Sequence, residues 1–229
     1  MTNEKMLERV NEIVLHLSDE DTNAYRFALD HKFDCFPGLA GLLASLTLDL
    51  RADVLKSAMR SAGRSSALAA AKRLLKSASR LSRETCHGAW MQNGKQCLCD
   101  GYHAVMLDHE IPGLPQVPDD VEKFDLDHSI SFSRDNCGAV LELPTGAELK
   151  AYIKTQKAEN KARGIKDPVK YDFGENLPLV NAEYLLDMLE LLPGCKAVFC
   201  REKPLVSGIY FKADGQGEGI LLPVRKTQH

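Results

Sequence analysis

Two separate stretches of the chain show the same predicted order of secondary structure, one helix followed by three strands. In residues 65–108 an alanine-rich helix precedes two runs joined by Asn93-Gly94, and Asn-Gly between such runs is a strong hairpin signal. Residues 181–225 repeat this order, and Asn181 is typical of a helix N-cap. Strands joined by short turns pair antiparallel, and helices cover such sheets. The sequence therefore predicts an α+β fold of antiparallel sheets backed by helices, with an N-terminal helical region before them.

The length of 229 residues suits one large domain or two small ones. We predict a helical N-terminal region over residues 1–62 and a single domain over residues 63–229. Within that domain, residues 111–170 form a divergent bridge between the two repeats. Residues 127–133 and 139–143 are candidate strands of this bridge.

The composition excludes several classes of protein. Hydrophobic residues make up 44% of the chain and charged residues 27%, which is close to the globular average and excludes a disordered tail or a collagen-like fibre. No apolar run approaches the roughly 18 residues that span a bilayer, and the polar start does not resemble a secretory signal. Seven scattered cysteines are typical of a chain with reduced thiols. We therefore expect a cytoplasmic protein that has no membrane partner.

The sequence contains no familiar catalytic or cofactor-binding motif. A nucleophile elbow, a metalloprotease signature and a Walker motif are all absent. The glycine-rich residues 214–219 fit a hairpin turn better than a phosphate loop, since no helix follows them. Cys97 and Cys99 lie on one strand, and His103 does not complete the four ligands of a structural zinc site. We expect a protein that is not an enzyme and holds neither metal nor cofactor.

A concentrated positive charge is the most informative compositional feature. The net charge is −3, yet residues 54–83 contain eight basic and no acidic side chains. The eight candidate phosphate-contacting residues are Lys56, Arg60, Arg64, Lys72, Arg73, Lys76, Arg80 and Arg83. Such a stretch attracts polyanions and binds phosphates on contact. The alternative is a solvated helical face whose charges offset acidic neighbours.

Three segments together resemble the bacterial replication sliding clamp, the β subunit of the replicative polymerase. They are GAWMQNGKQCLCDGYHAV (88–105), VNAEYLLDML (180–189) and GILLPVR (219–225). In that family a helix leads into a hairpin and then a Thr-Asp-Gly-His/Tyr-Arg-Leu-Ala motif, which stands here as Cys-Asp-Gly-Tyr-His-Ala-Val over residues 99–105. The family's closing strand ends in an apolar-Pro-apolar-Arg pattern. The chain has room for about one of the clamp's two-part domains, so it would be a reduced relative.

This resemblance implies a clamp-like fold and a function without catalysis. The chain would be a scaffold that contacts duplex DNA through its basic helix without sequence preference. It would also dock client peptides in a groove formed by Gly101, Tyr102, His103, Ala104, Ile220, Leu222, Pro223 and Arg225. The alternative is that Ile220 and Leu222 are plain strand core and that His103 lies on the surface. Cys99 and His103 stand where the family has Thr and Arg.

A second function belongs to another class. The acidic segments on either side of the basic stretch suit contact with a basic protein surface. The chain would then be an inhibitor or adaptor from a phage or mobile element. It would use a clamp-like fold to block a host nucleic-acid enzyme such as a CRISPR effector. The replication or nuclease partner and the formation of a homo-oligomer are left open by the sequence.

Overall fold

A computed structural model describes residues 4–8, 11, 50–51, 53–54, 56–61, 63–79 and 86–224. The chain divides into two compact units, Met1–Ser65 and Ser66–His229. In the first unit the described residues up to 61 are helical. The rest of the predicted N-terminal helical region lies outside the described residues, as do Arg80, Arg83 and Arg225.

From Ser65 onward the described chain contains four helices and nine strands. The helices are α1 (Ser65–Ala78), α2 (Leu126–Asn136), α3 (Gly146–Ala162) and α4 (Ala182–Leu191). The strands are β1 (Trp90–Gln92), β2 (Lys95–Cys99), β3 (His103–Leu107), β4 (Ala139–Leu141), β5 (Lys170–Asp172), β6 (Leu179–Asn181), β7 (Lys196–Phe199), β8 (Ile209–Ala213) and β9 (Gly217–Leu221). None of the described helices combines the length and apolar character needed to cross a membrane.

Seven strands form one sheet in the order β1-β2-β3-β9-β8-β7-β4, and every neighbouring pair is antiparallel. Strands β5 and β6 form a separate antiparallel pair. The first predicted repeat supplies β1 to β3 after α1, and the second supplies β7 to β9 after α4. The repeats meet where β3 pairs with β9, with Ala104 opposite Ile220. The predicted α+β class is confirmed.

The candidate strand over residues 127–133 is wrong, because this segment lies within helix α2. The Asp125 side chain accepts a hydrogen bond from the His128 backbone N–H, which is the geometry of a helix N-cap. The buried residues of α2 are Leu126, Ile130 and Ser133, spaced as on one face of a helix. Serines that alternate with apolar residues in this segment imitate a strand. The other candidate, residues 139–143, contains β4.

Helices α2 and α4 cover opposite faces of the sheet. Leu126 and Ile130 of α2 pack in one apolar cluster with Ala104 of β3. The neighbouring His103 contacts α4 instead, and successive residues of a strand point to opposite faces. On the α4 side the approach is close: a Cβ atom at Gly219 would lie 2.6 Å from the Ala104 carbonyl oxygen and 2.7 Å from Cε of Met188. The sheet is thus enclosed between two helical layers.

Candidate peptide-binding groove

A groove of about 600 Å³ opens on the α2 side of the sheet. One wall is the length of α2. The opposite wall comes from the start of β3 and the end of β9, and the loop between β7 and β8 closes a third side. Its lining residues are Cys86, Cys99, Gly101, Tyr102, His103, Ala104, Phe124, Leu126, His128, Ser129, Phe132, Ser133, Asn136, Cys137, Lys203, Val206, Ser207, Gly208, Ile220 and Leu222.

Six of the eight residues predicted for a peptide groove line this cavity. They are Gly101, Tyr102, His103, Ala104, Ile220 and Leu222. The two strands hold them together, since Ala104 lies opposite Ile220 and the Leu222 N–H donates to the Tyr102 carbonyl at 2.8 Å. Pro223 is half-buried and does not line the cavity.

The exposed apolar side chains of the described chain concentrate around the groove. The described residues include eight exposed large apolar side chains, and five of these line the groove. These five, with the exposed fraction of each, are Tyr102 (53%), Phe124 (41%), Phe132 (67%), Val206 (62%) and Leu222 (41%). Contiguous exposed apolar surface marks sites where another molecule binds. The groove therefore has the surface of a docking site.

Helix α2 is the part of the groove that the sequence patterns missed. The predicted set came from β3 and the end of β9 alone, whereas residues on one face of α2 form the other wall. Two signals could have found it. Asp125 is a good N-cap residue, and the spacing of Leu126, Ile130 and Ser133 is that of a helix face.

The turn that carries Tyr102 to the rim is fixed by Asp100. Oδ1 of Asp100 accepts hydrogen bonds from the backbone N–H groups of Tyr102 and His103, both at 2.9 Å. Gly101 adopts a φ of 82°, which glycine reaches at no steric cost. The Asp-Gly pair therefore shapes this end of the groove.

His103 is buried, so the alternative in which it lies on the surface is wrong. Its ring lies on the α4 face of the sheet and stacks on Tyr184, with the centroids 4.5 Å apart. Nδ1 lies 3.0 Å from Oδ1 of Asp100, and Nε2 lies 3.7 Å from Oδ2 of Asp187. His103 therefore lines the groove through its backbone, while its side chain connects β3 to α4.

The two carboxylates favour a protonated His103. Burial alone would lower the pKa of His103, but the hydrogen bond to Asp100 and the charges of Asp100 and Asp187 outweigh burial and raise it. For Asp100, burial would raise the pKa, and the hydrogen bonds and charge of His103 lower it instead. The two groups therefore favour each other's charged forms, protonated His103 and ionised Asp100.

The described side chains of the basic stretch differ in whether internal acidic partners already offset their charge. Arg73 donates from Nε to Asp187 at 2.8 Å and also forms an ion pair with Glu190, so acidic residues of α4 offset its charge. Lys72 and Lys76 are exposed on α1. Lys56 forms an ion pair with an acidic residue at 3.3 Å in the first unit. In that unit Arg60 is exposed and Arg64 is half-buried.

Two cysteines of β2 have thiol pKa values raised above the ordinary value. Cys97 is buried, and burial raises its pKa to about 12. Cys99 is also buried, and its pKa is raised by a hydrogen bond with Cys86 and by burial. The described residues contain no cluster of three or more His, Cys, Asp or Glu side chains that could hold a metal ion.

Comparisons of the chain with protein-family models, with curated proteins and with solved structures yield no match. The function must therefore be inferred from the groove and from the charges around it.

Proposed function

We propose that the chain is a clamp-like scaffold, without catalytic activity of its own, that docks an extended apolar peptide of a partner protein in the groove. One observation supports this most directly: five of the eight exposed large apolar side chains of the described residues surround a single cavity. A concave apolar surface with a few polar groups suits the capture of a peptide in extended form.

The groove is large enough for useful affinity. Burying one large apolar side chain contributes about 1.5–3 kcal/mol. Two or three peptide side chains in the groove would offset part of the cost of association. We therefore expect dissociation constants in the micromolar range, about −8 kcal/mol in binding free energy.

A fluorescence anisotropy titration with a labelled clamp-binding peptide tests the proposal. We expect saturable binding that Phe132→Ser weakens about tenfold or more, because Phe132 loses its apolar contact with the peptide. Val140→Ser is the matched control, since Val140 is also a highly exposed apolar residue, at 75% against 67% for Phe132, but lies on β4 and does not line the groove. Absence of saturation at high micromolar concentration, or equal effects of the two variants, would contradict the proposal.

Contact with duplex DNA is a second candidate, favoured by Lys72 and Lys76. Both are exposed one helical turn apart on α1, and neither forms an ion pair within the described residues. Two phosphate contacts would give a salt dependence with a slope near −2 in log–log form. The Lys72→Ala/Lys76→Ala double variant should then bind duplex DNA less tightly. Peptide binding without DNA binding would favour the inhibitor or adaptor use of the fold.

A further inference from the structure

We propose that the groove selects an extended peptide of about four or five residues that carries a carboxylate at one end, placed against Lys203. This inference rests on the proposed function and names the chemistry of the ligand.

The groove has a positive bias. None of its described lining residues is Asp or Glu, although acidic residues outnumber basic ones in the whole chain. The permanently charged lining residue is Lys203, and His128 is a second basic group. Lys203 is exposed, so it attracts a ligand carboxylate with a strength that falls as salt is raised. The charge therefore favours an anionic group over a neutral or basic one.

Two acidic residues stand at the start of α2: Asp125 is its N-cap and Asp127 lies in its first turn. Asp125 accepts a hydrogen bond from the Gln92 side chain at 2.7 Å, and Asp127 accepts one from the Asn93 side chain at 3.1 Å. Both carboxylates therefore bind the β1–β2 hairpin. Neither of them lines the cavity or forms an ion pair with Lys203 within the described residues.

Lys203 is held at the groove by a folded loop. Its carbonyl accepts hydrogen bonds from the backbone N–H groups of Val206 at 3.3 Å and Ser207 at 3.0 Å. Its side chain forms no ion pair with any other residue that the structure describes. The loop backbone is therefore ordered, while the ammonium group is available to a ligand.

The length of the groove sets the length of the ligand. From Leu126 to Asn136 the lining face of α2 extends about 15 Å at the rise of an α-helix. An extended peptide covers this distance with about four or five residues. The Cys137 thiol lies 3.3 Å from the Gly208 carbonyl oxygen, so the loop that carries Lys203 adjoins the far end of α2. A carboxylate that reaches Lys203 therefore belongs to a terminal residue of the bound segment.

Three fluorescein-labelled, C-terminally amidated peptides that differ only in the last residue test this inference: SLFLD, SLFLN and SLFLK. We expect SLFLD to bind about five- to tenfold more tightly than SLFLN, and SLFLK to bind most weakly. The peptide DLFLS reports the opposite chain direction, and preference for it over SLFLS supports the same contact. The preference should weaken as sodium chloride is raised from about 50 to about 500 mM.

The Lys203→Gln variant assigns the effect to one side chain. It should bind SLFLD and SLFLN equally, with the affinity for SLFLN unchanged. Lys154→Gln is the control, because Lys154 is exposed on α3 and does not line the groove. If the unmodified protein binds acidic and neutral peptides equally in both chain directions, the inference is overturned, while the proposed docking of peptides in the groove still stands. If no peptide binds and Phe132→Ser changes nothing, the proposed function itself fails.

Discussion

Replacing Asp187 by Asn tests whether the buried carboxylate of α4 stabilises the domain. The Asp187 side chain is 5% exposed, and its Oδ1 accepts a hydrogen bond from Nε of Arg73 at 2.8 Å and lies 2.6 Å from Nη2 of the same residue. Charge-assisted bonds contribute about 1.5–3 kcal/mol each and are roughly twice as strong as neutral ones. Asn keeps an Oδ1 acceptor for Arg73 but loses the negative charge, so about half of the contribution should be lost.

The solvent exposure of Arg73 reduces the stability that Asp187→Asn is expected to lose. Its side chain is 47% exposed and keeps Glu190 as a partner, so water recovers part of the lost energy. We expect the free energy of unfolding to fall by about 1–2 kcal/mol. For a domain of this size that corresponds to a decrease in Tm of about 2–8 °C.

Thermal and denaturant unfolding at two pH values measures the effect. The loss should be larger at about pH 6 than at about pH 9, because only protonated His103 gains from the Asp187 charge and its pKa is raised. Asp214→Asn is the matched control, since Asp214 is exposed in the β8–β9 turn. If the two variants unfold alike, or if the Asp187→Asn loss is independent of pH, the reasoning is refuted.

Three further predictions concern stability and reactivity. Because the pKa of His103 is raised in the folded state, the stabilisation that His103 contributes is complete below the unfolded pKa of 6.5. This stabilisation is lost as the pH rises through the folded pKa. The denaturant midpoint should decrease as the pH rises through that window, and His103→Gln should abolish the decrease. The same pH profile in the variant and the unmodified protein would contradict this. Gly219→Ala should cost about 1–3 kcal/mol in chemical unfolding, since its Cβ would overlap Ala104, whereas Gly146→Ala, in open space, should be nearly neutral. Cys97, buried with a pKa of about 12, should resist iodoacetamide at pH 8 until the protein unfolds, as peptide mass mapping would show; rapid labelling in the native state would argue against its burial.

The strand-derived half of the groove was predictable from local patterns. The turns at Asn93-Gly94 and Asp100-Gly101 place β2 and β3, and the resemblance to a clamp indicated which residues of β3 and β9 share one surface. The pairing of Ala104 with Ile220 then brings the two motifs together. The α2 half was not predictable in the same way, because alternating serines masked the helix that begins after Asp125.

The partners of charged residues could not be read from composition. Arg73 looked like a phosphate ligand because its neighbours in sequence are basic. Its actual partners, Asp187 and Glu190, lie on another helix far along the chain. The surroundings of the His103 side chain could not be read from the sequence either, since only the fold places Tyr184 and Asp187 against its ring. Long-range electrostatic contacts of this kind depend on the packing of helices, which local sequence does not specify.

The central β3–β9 pairing sets the order in which the groove can be built. His103 lies opposite Leu221, so the two strands come from distant parts of the chain. Non-local pairings of this kind form slowly, because the intervening loop must close first. On the ribosome, the first three strands would emerge with an unpaired edge long before their partner is synthesised. A nascent chain would therefore complete the groove only in the last stage of folding.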